Sequence, residues 1–477
     1  MKARISLVAL VFGLASCTTV GPNYAAPEAD MADSWLETAD PGAIDPVWWN
    51  KFDDPRLAEL IEQALRNSPS LAEARARLTE ARANRDIVRG GQGPQLSVAG
   101  SVTENQLSED GQIPAGDIPG FEPGFSLFDL GFDSSWEIDF WGRNTRDREA
   151  AEARIEAAEA RLHDTLVLIT GEIARNYMDL REAQAALAVG QARVRAFDEL
   201  TRLTQLRYDS GESSLIDLQR ARSDANSARS VLPNLRAPVS GAAYRIAALV
   251  GEPPEALVPQ LREAAPIPNS PDNILVGVRS DLLRRRPDIR AAERDLAAAT
   301  ADVGSATADI FPRFSLIGSV GVQSRSVDGL ADGDNVRFTV GPSFSWPLFS
   351  GGRVRAQIRA ADARAQASAA RYEQTVLDAL ADSEGAINRF LEAQRAQTEA
   401  LRAEEAEKAS FALSKRRAET GEDDRLALQN ARLALLSTQE AARTAEAETA
   451  RAAASVFKAL GGAWQAELVP LEPSPDS

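Results

Sequence analysis

Two predicted β-hairpins in this chain alternate between apolar and polar residues, and each lies between long helical segments. They occupy about 95–139 and 313–348. Most apolar side chains stand at even-numbered positions, namely Leu96, Val98, Val102, Leu130, Phe132, Trp136, Leu316, Val320, Phe338, Val340 and Phe344. Because successive side chains of a strand point to opposite faces, each strand has one apolar and one polar face. Strands of about ten residues with this pattern are typical of membrane β-barrels.

The two hairpins belong to an internal repeat, which has to be recognised before the fold is assigned. Trp136 and Trp346 lie 210 positions apart, and so do Gly211 and Gly421. We therefore predict repeat one at 56–251 and repeat two at 275–464. A Pro-rich segment at 252–274 links them, and any helices there are expected to be short.

Each hairpin is followed by a predicted helix of unusual length, 143–207 in repeat one and 353–419 in repeat two. At 1.5 Å per residue each would extend roughly 95–100 Å. Their apolar residues recur about every 3.5 positions, the spacing of a coiled-coil seam. Tip turns at Gly211 and Gly421 end these helices, because glycine suits the left-handed position after a helix. Return helices are predicted at 213–250 and 423–461.

The chain begins with a predicted signal peptide at 1–16, formed by a basic start, a short apolar run and small residues. Leu14-Ala15-Ser16-Cys17 matches the bacterial lipobox, so Cys17 is expected to become the lipidated first residue of the mature chain. It would carry an S-diacylglycerol group and an N-palmitoyl chain, which tether a protein through their buried methylenes. The following segment, 17–55, is predicted to be an extended, lipid-anchored stretch, and 465–477 a C-terminal tail.

Charge and composition exclude several classes of function. Removing Lys2 and Arg4 with the signal leaves 51 basic residues against 70 acidic ones, whereas nucleic-acid binding needs a basic surface. The acidity suits either a water-filled lumen that favours cations or an ordinary solvated surface, and composition leaves both open. One His and one Cys provide no metal site. We expect His163 to be solvated, no catalytic residues and no cofactor besides the lipid.

Two hairpins supply four strands, which is too few for a barrel. In lipid every backbone amide and carbonyl must be paired, so an open four-stranded sheet cannot remain there. Several copies must therefore pool their strands. A dimer would supply eight strands and a trimer twelve, and the strand pattern alone does not choose between them.

Several short motifs together resemble the TolC/OprM-like outer-membrane efflux factors, in their lipoprotein (NodT-type) branch. The matching residues are Cys17 and the segments 21–24, 48–55, 284–289, 344–349, 351–353 and 459–464. The resemblance covers the mature chain from Cys17 to about Trp464. It implies a mainly α protein with membrane β-structure, in which each protomer has four long-helix columns and four strands. It also implies a homotrimer whose 12-stranded β-barrel continues into an α-helical barrel.

The same resemblance implies partners and a gate. The expected partners are outer-membrane lipid, a periplasmic adaptor (membrane fusion protein) and an inner-membrane RND transporter, with the helical tips closing the duct on the periplasmic side. The family's apolar gate residue corresponds to Leu426. Its acidic one corresponds to Asn430, so the gate carboxylate is missing there. Residues expected to supply charge or closing pairs near the tips are Asp423, Asp424, Asp217, Arg220 and Arg222.

Other proteins share parts of this pattern. A periplasmic adaptor lipoprotein is also long-helical, but it typically has one helical hairpin between soluble β-domains rather than a twofold repeat. Exit ducts for type I protein secretion or metal efflux share the whole fold. The sequence therefore predicts an outer-membrane exit duct and leaves its cargo open.

Overall fold

Long helices and four strands make up most of the computed structural model, which describes residues 19–27, 32, 34–36, 42, 45–108, 119 and 122–462. Repeat one contains α1 (Pro55–Asn67), α2 (Pro69–Gly91), β1 (Gln95–Gln106), β2 (Gly124–Ile138), α3 (Arg143–Asp209) and α4 (Leu215–Val250). Repeat two contains α6 (Leu282–Arg285), α7 (Pro287–Ala308), β3 (Arg313–Ser324), β4 (Val336–Ser345), α8 (Arg353–Thr420) and α9 (Arg425–Ala459). The linker holds one short helix, α5 (Pro254–Leu261). Cys17, the signal peptide at 1–16 and the tail at 465–477 lie outside the described residues.

The chain divides into two units. The sheet unit comprises Met1–Pro27, Leu78–Ala157 and Ala292–Tyr372, and the helical unit comprises Glu28–Arg77, Ala158–Ala291 and Glu373–Ser477. Among the described residues, no helix has both the length and the hydropathy that crossing a bilayer requires.

The sheet unit contains one antiparallel sheet with the strand order β1-β2-β3-β4, so the two hairpins pair through β2 and β3. The register places Val98, Phe132, Val320 and Phe338 side by side across all four strands. Phe132 is 51 % exposed and Phe338 76 % exposed. One face of the sheet is therefore an apolar surface that the chain itself leaves uncovered, as the alternation predicts.

The opposite face of the sheet is polar and joined by an ion pair. The Arg337 guanidinium donates to both carboxylate oxygens of Asp129, at 2.6 and 2.9 Å. Gln323 on β3 also donates to this carboxylate, at 2.7 Å. Gly321 lies on β3, the strand between β2 and β4, and is paired with Arg337 of β4. Because glycine has no side chain, the arginine has room to reach across β3 to β2. Bidentate pairs of this kind fix geometry as well as charge.

The last predicted strand is shorter than expected. The alternation predicts continuation to Leu348, but β4 ends at Ser345. Pro347 has no backbone N–H for the strand ladder, and the Leu348 amide donates to the Trp346 carbonyl at 2.9 Å in a tight turn. The Trp346 indole donates to the Ile310 carbonyl at 2.9 Å, so this tryptophan braces the end of the sheet.

Aromatic residues cluster where β2 passes into α3. Trp141 stacks on Phe311 with ring centroids 4.6 Å apart, and Phe140 packs edge-on against Phe314 at 5.1 Å. The Trp141 indole also donates to the Pro312 carbonyl at 2.9 Å. These rings pack the strand-to-helix corner, whereas Phe349 is 93 % exposed.

The core of the helical unit explains the Trp-rich motif at 48–55. The prediction of an extended segment through residue 55 is wrong at its end, because Trp48–Phe52 forms a 3-10 helix. Trp48 is buried and stacks on Phe457 of α9 at 5.1 Å. Asp54 caps α1 by accepting from the Arg56 and Leu57 amides, and its carboxylate also accepts from the Tyr177 hydroxyl. The motif therefore packs the core of the helical unit and caps α1.

His163 also differs from expectation. The sequence predicts a solvated side chain, but only 7 % of His163 is exposed. Burial is the main reason that its pKa is lowered, since desolvation penalises the charged imidazolium. The Arg290 charge of α7 also lowers this pKa, so His163 lies near another helix, which a single-helix pattern does not reveal.

Candidate functional site at the helical tips

The two helix–turn–helix tips of the helical unit have the same backbone geometry. Gly211 and Gly421 each have φ of +79°, the left-handed region that glycine adopts without strain. In the first tip the Glu212 amide donates to the Arg207 carbonyl at 2.7 Å, and in the second the Glu422 amide donates to the Arg417 carbonyl at 2.9 Å. These bonds close a Schellman motif that satisfies the last helix carbonyls. Both glycines therefore have a structural role.

Different residues begin the two return helices. Ser214 caps α4 in a capping box: its hydroxyl accepts from the Asp217 amide, and the Asp217 carboxylate accepts from the Ser214 amide. Hydrogen bonds from the Ser214 hydroxyl and amide lower the pKa of Asp217. Asp424 caps α9 by accepting from the Leu426 amide at 3.1 Å. Asp217 and Asp424, both expected at the gate, thus also hold the helix N-termini.

An ion pair joins one tip to the other. Arg207 Nη1, at the end of α3, lies 2.9 Å from Asp424 Oδ2 at the start of α9. In the second tip, Arg417 Nη2 lies 2.9 Å from Asp423 Oδ1. Both side chains of the first pair are about half exposed, so the pair contributes roughly 0.2–1 kcal/mol. The pair is therefore a weak link between the two tips.

The other predicted gate residues line the same region without joining the two tips. Arg222 donates to the Gln205 amide oxygen on α3 at 2.8 Å, within its own hairpin. Arg220 is exposed and lies close enough to Asp217 to influence its charge. Leu426 is half-buried and Asn430 is exposed. Closing pairs between separate copies stay a prediction.

Arg207 is not among the residues predicted at the gate, although the internal repeat could have indicated it. Arg207 and Arg417 stand 210 positions apart, at the same point before each tip glycine, and both make ion pairs there. If the charged residues of the two repeats are aligned, and not only their glycines, both arginines are identified. It does not identify their acidic partners, because pairing across the tips depends on how the hairpins pack.

A second charged cluster lies in the helical unit around a cavity of about 420 Å³. Its charged lining residues are Asp164, Arg286, Asp288, Asp382, Arg389 and Lys458. Arg286 donates to Asp288 at 2.6 Å and to the Ala459 carbonyl at 2.8 Å. Burial, with the nearby Asp288 charge, raises the pKa of Asp164 to about 6, against the opposing effect of Arg286 and Lys458.

Asp164 is therefore expected to lower stability as the pH rises. Between about pH 4 and pH 6 the folded state binds a proton that the unfolded state has lost, so the free energy of unfolding falls across this interval and stays lower above it. Asp164→Asn should stabilise the protein near pH 8 by on the order of 1 kcal/mol and give no gain near pH 4. Urea unfolding at both pH values measures this difference. The control is Asp382→Asn, an exposed acid of the same cavity. Equal gains at the two pH values would contradict the assignment.

Comparison with known proteins agrees with this architecture. The sequence model of the family "Outer membrane efflux protein" matches residues 60–252 and 278–462. Nodulation protein T of Rhizobium leguminosarum bv. trifolii is 30% identical over 458 residues, covering 94% of this chain and 96% of that protein. Outer membrane protein OprJ of Pseudomonas aeruginosa is 30% identical over 468 residues, covering 96% and 95%.

Among solved structures, that of the outer-membrane channel OprN superposes with a TM-score of 0.83 and 36% sequence identity. The match covers 94% of this chain and all of that one. The family consists of efflux channels, not enzymes. Since the family model spans both repeats and these relatives match nearly the whole chain, this protein belongs to the outer membrane efflux protein family.

Proposed function

We propose that three copies of this chain form the exit duct of a tripartite efflux system, with a 12-stranded barrel in the outer membrane. The observation that carries the proposal is the apolar row across all four strands, which the chain leaves exposed from Val98 to Phe338. Such a row is stable in lipid only if both outer strands, β1 and β4, find partners. Three copies supply twelve strands, enough to enclose an open channel.

The polar face of the sheet then lines the lumen. It presents Asp129 of β2 paired with Arg337 of β4, together with Ser97 of β1, Asp133 of β2 and Thr339 of β4. A hydrated lining of this kind lets polar solutes pass without binding them tightly. Cys17, acylated with diacylglycerol and palmitate, anchors each copy in the same membrane.

The energy for export comes from partners. A periplasmic adaptor and an inner-membrane RND transporter deliver small molecules to the helical tips. There Leu426 and Asn430 narrow the axis, and Asp217, Arg220, Arg222, Asp423 and Asp424 provide its charges. The tip pair between Arg207 and Asp424 supports a closed resting state that docking opens.

A reconstitution experiment tests this function. Chemical crosslinking of the purified protein in detergent should stop at trimers, and planar bilayers should show discrete channel openings. A deletion strain should become more sensitive to exported drugs, to the same degree as a strain lacking the adaptor and pump. A monomer without channel activity, or a deletion that leaves drug sensitivity unchanged while blocking secretion of a protein, would contradict the proposal.

Reversing the charge at position 207 tests the tip pair. Arg207→Glu replaces an attraction to Asp424 with a repulsion, which should favour the open state about fivefold per copy for a change of roughly 1 kcal/mol. Single-channel recording measures open probability, and entry of a large glycopeptide antibiotic measures leakage in cells. Arg202→Glu is the control, because Arg202 pairs with Glu199 on its own helix. Equal leakage in both variants would exclude a specific role for the pair.

A further inference from the structure

The segment 19–24, which follows the lipidation motif, is docked onto the sheet unit by backbone hydrogen bonds. The Val20 amide donates to the Trp141 carbonyl at 3.1 Å. Arg146, near the start of α3, donates through Nε to the Val20 carbonyl at 3.2 Å and through Nη2 to Asn23 Oδ1 at 2.7 Å. Only 3 % of Arg146 is exposed. A buried arginine that reaches two points of one segment holds that segment in a single position.

At two glycines the segment and the sheet unit lie too close together for a residue with a side chain. Gly21 has φ of +87°, and a Cβ placed on it would lie 2.4 Å from the Gly304 Cα of α7. A Cβ on Gly142 would lie 2.7 Å from the Thr19 Cα. The backbone of the segment therefore touches both repeats, at the start of α3 and on α7.

Tyr24 fastens the other end of the segment. Its ring packs on a small cluster formed by Ala153, Ala297 and Ala298. Its hydroxyl donates to the Glu293 carboxylate, and the Arg294 guanidinium lies 5.5 Å from the ring centroid. Burial and the hydrogen bond to Glu293 raise the pKa of Tyr24, so the hydroxyl stays a donor throughout the physiological range.

The N-terminal end of the docked segment lies at the corner of the sheet. Trp141 and Gly142, which meet Val20 and Thr19, lie between the end of β2 and the start of α3. Cys17 precedes Thr19 by two residues in the sequence. The proposed acyl chains would therefore be attached two residues before a segment that is held at the aromatic corner.

We propose that residues 19–24 form an anchor strap, and that Arg146 is a positioning residue that holds the strap so that the lipid enters the membrane at one defined point of the sheet unit. This inference rests on the proposed acylation of Cys17. Undocking the strap would leave the lipid on a flexible tether. The strap also joins α3 of repeat one to α7 of repeat two at the point where each meets the sheet.

Cleavage after Tyr24 by chymotrypsin reports on docking, because a protease needs the segment released from the surface. The full-length protein is tested in detergent-solubilised outer membranes from cells grown with labelled palmitate, and the peptide 17–24 is quantified by mass spectrometry. Arg146→Ala removes charged hydrogen bonds to Val20 and Asn23, so cleavage should accelerate at least about tenfold. Asn23→Ala removes one of them and should accelerate it about threefold. Arg148→Ala is the matched control, since Arg148 is half exposed on the same helix and pairs with Glu152 of that helix.

The outcomes separate the strap from the lipid and from efflux. Cleavage of Arg146→Ala at the rate of Arg148→Ala would overturn the strap. If Arg146→Ala fails to reach the membrane, Asn23→Ala decides, because it alters the strap alone. A wild-type peptide that is cleaved slowly but lacks palmitate would overturn the anchor and leave the docking intact. The assay requires no pump, so its result can be interpreted even if the efflux proposal fails.

Discussion

Phe338→Arg is expected to keep the protein out of the outer membrane. Phe338 is 76 % exposed at the end of the apolar row on β4, and the proposed barrel turns this face to lipid. An arginine on the lipid face near the bilayer centre costs about 2–4 kcal/mol, and a trimer would bear that cost three times. The folded barrel should therefore largely disappear. Density-gradient fractionation measures the outer-membrane pool, and heat-modifiable migration on gels measures the assembled barrel.

The neighbouring residue provides the control. Thr339 follows Phe338 on the same strand and lies on the polar face, opposite Ser319. Thr339→Arg introduces the same charge into the proposed water-filled lumen, where it should affect ion selectivity but not insertion. If both variants reach the outer membrane equally well, the even-numbered face does not contact lipid, and the proposed barrel is wrong.

Trp48→Ala is expected to destabilise the helical unit by about 3–5 kcal/mol, the usual effect of emptying a large aromatic site. The indole is 1 % exposed, stacks on Phe457 and contacts Trp49 and Phe52 edge-on. Its loss leaves a cavity between the 3-10 helix and α9 that the surrounding helices fill only in part. Urea unfolding of the detergent-solubilised protein should show the lower midpoint.

Asn50→Ala tests whether the effect comes from the buried ring. Asn50 lies on the same 3-10 helix with an exposed side chain, so its replacement should change the free energy of unfolding by less than about 0.5 kcal/mol. A Trp48→Ala variant as stable as Asn50→Ala would show that the motif at 48–55 does not support the core.

Much of the fold is predictable because its two periodicities are local. Alternation by two places Phe132 and Phe338 on one face of the sheet, and a spacing near 3.5 marks the long helices, which the structure ends at Asp209 and Thr420 rather than at 207 and 419. Gly211 and Gly421 mark the tips for an equally local reason, since each needs a left-handed backbone.

Contacts between distant segments were not predictable in this way. Arg207 pairs with Asp424 across 217 positions, and Arg146 holds Asn23 across 123. His163 is predicted to be solvated and is buried. Arg146 and Arg207 do not differ in local pattern from the solvated arginines of the same helix, α3.

The sequence by itself determined the repeat, the two hairpins, the long helices and the apolar face that requires a partner, because these depend on residue spacing along one element. The tertiary structure alone decided the pairing of β2 with β3, the ion pair between the tips and the docking of the anchor strap. Each of these depends on which faces meet when distant elements pack, and no local periodicity encodes that choice.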